Sequence, residues 1–311
     1  MFQPSYIETY KKGILKERIE AAYKIIKNCH LCPRICRVNR LADEKGVCKT
    51  GKHAIVSSYN PHFGEEDPLV GTHGSGTIFM GWCNLLCVFC QNYEISHMGE
   101  GRAVTSEELA SMMLSLQKMG CHNINFVTPT HVIPQILSAL TIAIEGGLHV
   151  PLVYNTGGYD VVKSLKLLDG IFDIYMPDFK YWEGEAAEKY SDAKNYPIAA
   201  RAALREMHRQ VGDLEMDERG IAYRGLLVRH LVMPHNLAST RDIMRFLAKE
   251  ISPNTYVNVM AQYRPCGLAH RYPEVNRPIT TDEYNDAVQM AIEEGITRLD
   301  ERKRLRIIRW L

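Results

Sequence analysis

No uninterrupted apolar run in this sequence is long enough to span a bilayer, and neither sign of charge dominates. Against 37 Lys and Arg stand 36 Asp and Glu, a formal net charge of +1. No overall basic field is therefore available to hold a nucleic-acid backbone, so neither a membrane nor a nucleic acid is an expected partner. The first 22 residues scatter Lys, Glu and Arg among apolar positions and lack the continuous apolar core of a secretory signal. A cytoplasmic protein is expected. Internal repeats and low-complexity segments are also lacking. What is present is a chain of 311 residues, 46% of them hydrophobic, long enough to bury a substantial core. It has nine cysteines. In a reducing compartment they are not a disulfide framework, and their grouping as four, three and two singles points to metal binding.

After Cys90, short runs rich in β-branched residues alternate with segments of helical periodicity, the pattern of repeated βα units around a parallel sheet. The first run covers 77–82 and ends at a cysteine triplet; others cover 123–127, 150–154, 172–176, 226–233 and 256–260. Thr105 and Glu108 form a capping-box pair ahead of an apolar stripe of Leu109, Met112, Met113, Leu116 and Met119. Further helices are expected at about 132–146, 159–169, 240–250 and 281–294, the last opened by Thr280 and Glu283. The stretch 183–225 breaks the rhythm and reads as an elaborated crossover with a small hairpin. Six strands predict an α/β fold, a partial (β/α)6 TIM-like barrel at 76–311, preceded by a cysteine-rich metal-binding module at 1–75.

Cys83, Cys87 and Cys90 lie in a loop leaving the C-terminal end of the first strand, at spacings of four and three. Three close thiolates suit a [4Fe-4S] cluster with one iron left open, whereas structural zinc wants a fourth ligand, for which His97 is the nearby candidate. With Phe89 just before the third cysteine, this Cys-x3-Cys-x2-Cys run resembles the signature of the radical S-adenosylmethionine superfamily. The resemblance implies that the open iron binds the methionyl amino and carboxylate groups of S-adenosylmethionine. It implies that one electron cleaves the cofactor to a 5′-deoxyadenosyl radical, which takes a hydrogen from the substrate. The electron would come from a reductant such as flavodoxin or ferredoxin.

The resemblance places the cofactor across the C-terminal ends of the strands, where barrel active sites are built. The second run ends Thr128-Pro129-Thr130-His131. Many relatives have Gly-Gly-Glu there to hold the amino group; backbone carbonyls and Thr128 or Thr130 are the candidates in its place. The third ends Asn155-Thr156-Gly157-Gly158 and is similar to a turn that lies against the ribose in activating enzymes. That implies Asn155 and Gly157 as cofactor contacts, with a plain turn as the alternative. The fourth, Asp178-Phe179-Lys180, resembles the Asp-Leu-Lys motif of pyruvate formate-lyase activating enzyme. By that match Asp178 and Lys180 face the methionyl group, the alternative being a surface ion pair. Arg229, in the fifth run, is a second candidate for the cofactor carboxylate or else part of an internal ion pair. Cys121 reads as core, and Cys266 as inert unless it serves as a redox thiol at the rim.

Taken together, the motifs resemble pyruvate formate-lyase activating enzyme-like proteins, which implies a glycyl-radical protein as partner. A radical enzyme acting directly on a small molecule or peptide, and a non-catalytic redox-sensing metal protein, stand beside it. Upstream, Cys29, Cys32, Cys36 and Cys48 make a four-thiolate site for zinc or an auxiliary [4Fe-4S] cluster. The spacing does not choose between them; the short knuckle with Gly46 and Gly51 leans toward zinc. The C-terminal stretch 301–311 alternates basic and apolar residues and reads as an element docked on the barrel.

Overall fold

The apolar, β-branched runs form the strands of one twisted sheet in the computed structural model, which describes residues 2–300. In chain order the strands are β1 (Ala54–His62), β2 (Ser75–Met80), β3 (Arg102–Val104), β4 (Ile124–Val127) and β5 (Leu152–Thr156). They continue with β6 (Ile174–Pro177), β7 (Glu215–Met216), β8 (Ala222–Leu231), β9 (Tyr256–Met260) and β10 (Arg298–Leu299). Their spatial order is β10-β9-β8-β6-β5-β4-β2-β1-β3, with β7 paired to β8. From β2 through β4, β5, β6, β8 and β9 to β10 every pairing is parallel. The sheet does not close, and the six central strands are those read from the sequence, a partial barrel. Every residue of β5 and β6 is buried, as expected for parallel strands covered on both faces.

Helices cover the outside, and their ends are set by local chemistry. Thr105 accepts the Glu108 N–H at 3.2 Å while Glu108 accepts the Thr105 N–H at 2.8 Å, fixing the start of the helix Ser106–Lys118. The same reciprocal pair, Thr280 and Glu283, opens the helix Thr281–Glu293. Leu109, Met112, Met113 and Leu116 are buried, each worth about 1.5–3 kcal/mol of apolar transfer. Met119 departs from the expected stripe: it lies past the last helical turn and is 52% exposed.

Across the boundary expected near residue 75, β1 pairs antiparallel with β2 along Val56–His62 and with β3 on its other edge. One expectation is corrected. The expected helix at 159–169 is only the turn Val162–Leu165 continued by Lys166–Leu168, because the left-handed turn at Gly158, φ 77°, delays the start of helical backbone. The stretch 183–225 holds the helices Gly184–Ser191 and Tyr196–Val211 and the β7–β8 hairpin. The segment 301–311 lies outside the described residues.

Candidate functional site

The cysteine loop leaves β2 through Gly81 and is bent by two non-glycine residues with positive φ, Trp82 at 68° and Leu86 at 57°. Such bends cost on the order of 1–3 kcal/mol each and gather at functional sites. They bring Cys83, Cys87 and Cys90 to the wall of a cavity of about 240 Å³. Hydrogen-bond donors surround the sulfurs. The Leu85 N–H points to Cys83 Sγ at 3.3 Å, the Ser96 hydroxyl to Cys90 Sγ at 3.1 Å, and the Ser191 hydroxyl to Cys87 Sγ at 3.2 Å. Ser191 in turn meets the buried Tyr181 hydroxyl at 2.8 Å. Phe89 is buried edge-on against Tyr181 and Tyr263 and wedges the loop into the barrel.

The same cavity is lined by Thr128, Asn155, Gly157, Asp178, Lys180 and Arg229. Asp178 is the hub of this group. Its Oδ2 accepts from Lys180 Nζ at 2.6 Å and its Oδ1 from Arg229 Nε at 2.8 Å. Arg229 also donates to Asn155 Oδ1 at 2.7 Å and lies 3.7 Å from Glu65. Burial alone would raise the Asp178 carboxyl, but the Arg229 and Lys180 charges beside it outweigh burial and hold it below the usual aspartate range. Burial likewise works against the Lys180 charge, and Asp178 and Cys87 reverse it, leaving the ammonium above its ordinary value. Both cations inferred for the cofactor carboxylate thus face the cavity and share one aspartate.

The neighbouring positions sort themselves by contact. Thr128 lines the cavity in a left-handed conformation, φ 62°, with its N–H on Asn155 O at 2.8 Å. That is a strained geometry for a β-branched residue. Thr130 is corrected: it is buried away from the cavity, its hydroxyl 2.8 Å from Asp160 and 3.0 Å from Thr156. It therefore serves the inner network that also holds Asp160 to Tyr154. Of the glycine pair, Gly157 lines the cavity, but Gly158 is the one the backbone requires. Its φ is 77°, and a Cβ there would lie 2.2 Å from Asp178 O. The Tyr196 hydroxyl ties this turn together, donating toward Gly157 O and Asp178 O, both at 3.0 Å, and accepting the Lys180 N–H at 2.9 Å. Cys121 is buried beside Gly76, and Cys266 lies in a loop docked on the cysteine loop through Leu268 N–H to Val88 O at 2.7 Å.

Sequence reasoning missed Ser96, Ser191, Tyr196 and Glu65. Ser191 stands 104 positions from Cys87, and no local pattern marks it. Glu65 follows β1, within the stretch assigned to the N-terminal module, where no strand-end pattern marks it.

Cys29, Cys32 and Cys48 are buried and Cys36 half-buried, and all four line one narrow cavity with Arg34, Arg40 and His131. Backbone bonds from Cys29 N–H to Val38 O and from Arg37 N–H to Cys29 O fold the knuckle on itself. Burial pushes the Cys32 and Cys83 thiols each up to about 12, so on their own both would stay protonated. Among the described residues no three His, Cys, Asp or Glu groups converge on a single ion. Three thiols lining one cavity, with donors aimed at their sulfurs, make the open three-ligand set of a [4Fe-4S] cluster rather than the closed four-ligand set of structural zinc.

A radical SAM superfamily model matches residues 77–247, more than half of the chain. This chain belongs to the radical SAM superfamily. Membership implies a [4Fe-4S] cluster and S-adenosylmethionine. An uncharacterised protein of Methanocaldococcus jannaschii is 35% identical over 294 residues, covering 92% of this chain and 80% of its own. Among solved structures, HydG, a maturase of the [FeFe]-hydrogenase, superposes with a TM-score of 0.50 at 13% identity over 71% of this chain. This chain spans about half of HydG, 49% of its length, and the likeness is one of fold. No helix among the described residues is long and apolar enough to cross a membrane.

Proposed function

We propose that this protein cleaves S-adenosylmethionine reductively and uses the product radical to install a glycyl radical on a partner protein. The observation that carries the reading is one cavity lined both by the three cysteines and by Asn155, Asp178, Lys180 and Arg229. When bound at Cys83, Cys87 and Cys90, the cluster supplies the electron, drawn from a flavodoxin- or ferredoxin-type donor. Lys180 and Arg229 offer charged donors to the cofactor carboxylate, and Asp178 holds both in position while they wait. Asn155 and Gly157 form the wall against which the ribose would lie, and Phe89 and Leu85 keep that wall apolar. Thr128, already strained, presents its backbone to the amino group in place of Gly-Gly-Glu. The activating role is favoured by the Asp178-Phe179-Lys180 match, whose two charged ends both face the cavity.

The four upstream cysteines are read as a second metal site, zinc or a cluster, held against the barrel. A cytoplasmic location follows from the same reading, since the chemistry needs reduced thiols.

Anaerobically reconstituted protein reduced with dithionite is expected to form 5′-deoxyadenosine and methionine from S-adenosylmethionine. No 5′-deoxyadenosine from protein with a full cluster would sink the enzymatic reading. The glycyl assignment is tested by anaerobic pull-down of partners, followed by EPR for a carbon-centred doublet on the captured protein. Turnover of a small molecule without any such signal would move the assignment to direct modification.

A further inference from the structure

Asp160 stands two residues past Gly158, and only 2% of it is exposed. Its carboxylate is held by three hydroxyls. Thr130 donates to Oδ1 at 2.8 Å, Tyr154 to the same oxygen at 2.8 Å, and Thr156 to Oδ2 at 2.7 Å. Each hydroxyl has one hydrogen to give, so the Thr156 oxygen is left to accept, and the Gly158 N–H lies 3.3 Å from it. Burial raises the Asp160 carboxyl, and the three hydroxyls oppose that rise. A carboxylate is tolerated this deep only when its oxygens are hydrogen-bonded.

These bonds join two strand ends. Thr130 belongs to the segment leaving β4, whereas Tyr154 and Thr156 belong to β5. Thr128, Asn155, Thr156 and Gly157 line the cofactor cavity, and Asp160 lies behind that wall, one hydrogen bond from Thr156. Thr128 has a φ of 62°, a conformation that a β-branched residue keeps only when its surroundings over-determine it. Two anchors do so here: the Thr128 N–H on Asn155 O at 2.8 Å, and Thr130 on Asp160. Both lead to the end of β5, so the turns after β4 and β5 form a single unit.

We infer that Asp160 is a positioning residue for cofactor binding: by tying Thr130 to Thr156 it holds the Thr128 backbone and the Asn155–Gly157 wall in the geometry that receives the cofactor. This rests on reading the cavity as the S-adenosylmethionine site. It gives Thr130, withdrawn from the cavity, a part in that site at one remove. The pattern of bonds, rather than the charge, carries the role, and it makes a specific demand on a substitute. An amide at position 160 can accept from Thr130 and Tyr154 with its oxygen and donate to Thr156 with its nitrogen. The Thr156 hydrogen then turns to the Thr130 oxygen, 3.0 Å away.

The test is equilibrium binding of S-adenosylmethionine to full-length, anaerobically reconstituted protein without reductant, so the readout does not depend on cleavage. Asp160→Ala is expected to weaken binding about tenfold or more, and Asp160→Asn to return it to within about threefold of wild type. Iron and sulfide content, and the rate of 5′-deoxyadenosine formation at saturating cofactor, should stay at wild-type values in both. An Asn variant as weak as the Ala variant would show that charge sets the affinity and overturn the inference, and so would an Ala variant that binds as wild type does. Should Asp160→Ala not fold, Thr130→Val cuts the tie on the β4 side with little change of shape. It too should weaken binding, and wild-type affinity would overturn the inference. Tyr175→Phe deletes an equally buried bond, to Gln210 at 2.6 Å, outside these turns and should leave affinity unchanged. A matching loss there would reduce the effect to general destabilisation and sink the positioning role. Wild-type protein that binds the cofactor without cleaving it would count against the proposed function and leave this inference standing.

Discussion

Removing the Asp178 carboxylate is the sharpest perturbation the site offers. Asp178, Lys180 and Arg229 side chains are 10%, 15% and 18% exposed, so the three charges are largely out of water. At an effective dielectric constant near 20 each close pair is worth about 4 kcal/mol. Asp178→Ala deletes both pairs and leaves two buried cations facing each other. Arg229 keeps Asn155 and, at 3.7 Å, Glu65, whereas Lys180 loses the carboxylate it donates to. The penalty has a ceiling, because Lys180 can shed its proton. Neutralising an ordinary lysine at pH 7 costs about 1.36 kcal/mol for each of about 3.4 pH units, or about 4.6 kcal/mol. We therefore expect Asp178→Ala to lose about 3–5 kcal/mol at pH 7. The pH signature follows from linkage. In the variant the folded-state pKa of Lys180 falls below its unfolded value, so stability lost at pH 7 returns as pH rises toward the ordinary lysine range, by about 1.36 kcal/mol per unit. The assay is urea unfolding of reconstituted protein without added cofactor at pH 7 and pH 9. A loss under about 1 kcal/mol, or an equal loss at both pH values, would refute the picture of a buried hub.

Other outcomes follow from the same contacts. Single Ala replacements of Cys83, Cys87 or Cys90 should abolish 5′-deoxyadenosine formation while Cys121→Ala retains it; a dead Cys121 variant would show the cysteines mis-sorted. Lys180→Ala should weaken S-adenosylmethionine binding by about 1.5–3 kcal/mol, read by equilibrium titration, if a charged hydrogen bond is lost. Ser191→Ala removes the hydroxyl aimed at Cys87 Sγ, so the catalytic cluster should become harder to reduce, its midpoint potential moving negative in an EPR titration, with Ser191→Thr restoring it. Burial raises the Asp173 carboxyl from 3.8 to about 6, so its ionisation opposes folding. Stability should fall by about 3 kcal/mol as pH rises from about 4 to 6, and Asp173→Asn should flatten that slope in urea unfolding.

The central sheet was legible because a parallel strand buried on both faces writes itself as a short apolar run, and β2, β4, β5, β6, β8 and β9 all did so. The strand-end residues were legible for a related reason: polar groups at the close of an apolar run have to meet something. Asn155, Asp178, Lys180 and Arg229 accordingly line one cavity. What sequence did not reveal depends on contacts without a local pattern. β1 alternates only weakly and carries Pro61, so its pairing with β2 left no run to read. Thr130 and Thr128 are two positions apart, and only the left-handed turn at Thr128 decides which of them faces the cavity. Gly157 and Gly158 were indistinguishable until the approach of Asp178 O gave the second a steric reason.

The cysteine knuckle is bound to the catalytic loop by Arg34, which lies between Cys32 and Cys36. Its guanidinium donates to Asn84 O at 2.8 Å and Leu85 O at 3.1 Å, inside the triplet, and to Ser191 O at 2.8 Å. Asp192 O is a further acceptor. One side chain thus holds the backbone between Cys83 and Cys87 and the residue whose hydroxyl points at Cys87 Sγ. His131 does the same from the barrel side through Gly81. Charged hydrogen bonds to backbone carbonyls contribute about 1.5–3 kcal/mol each, comparable to the strain stored at Trp82 and Leu86. The bent loop is therefore kept in its cluster-ready shape by His131 from the barrel and by Arg34, whose own position depends on the folded knuckle. A metal centre that orders Cys29 to Cys48 would order Arg34 with it, which couples occupancy of the N-terminal site to the geometry of the catalytic triplet without any direct contact between the two.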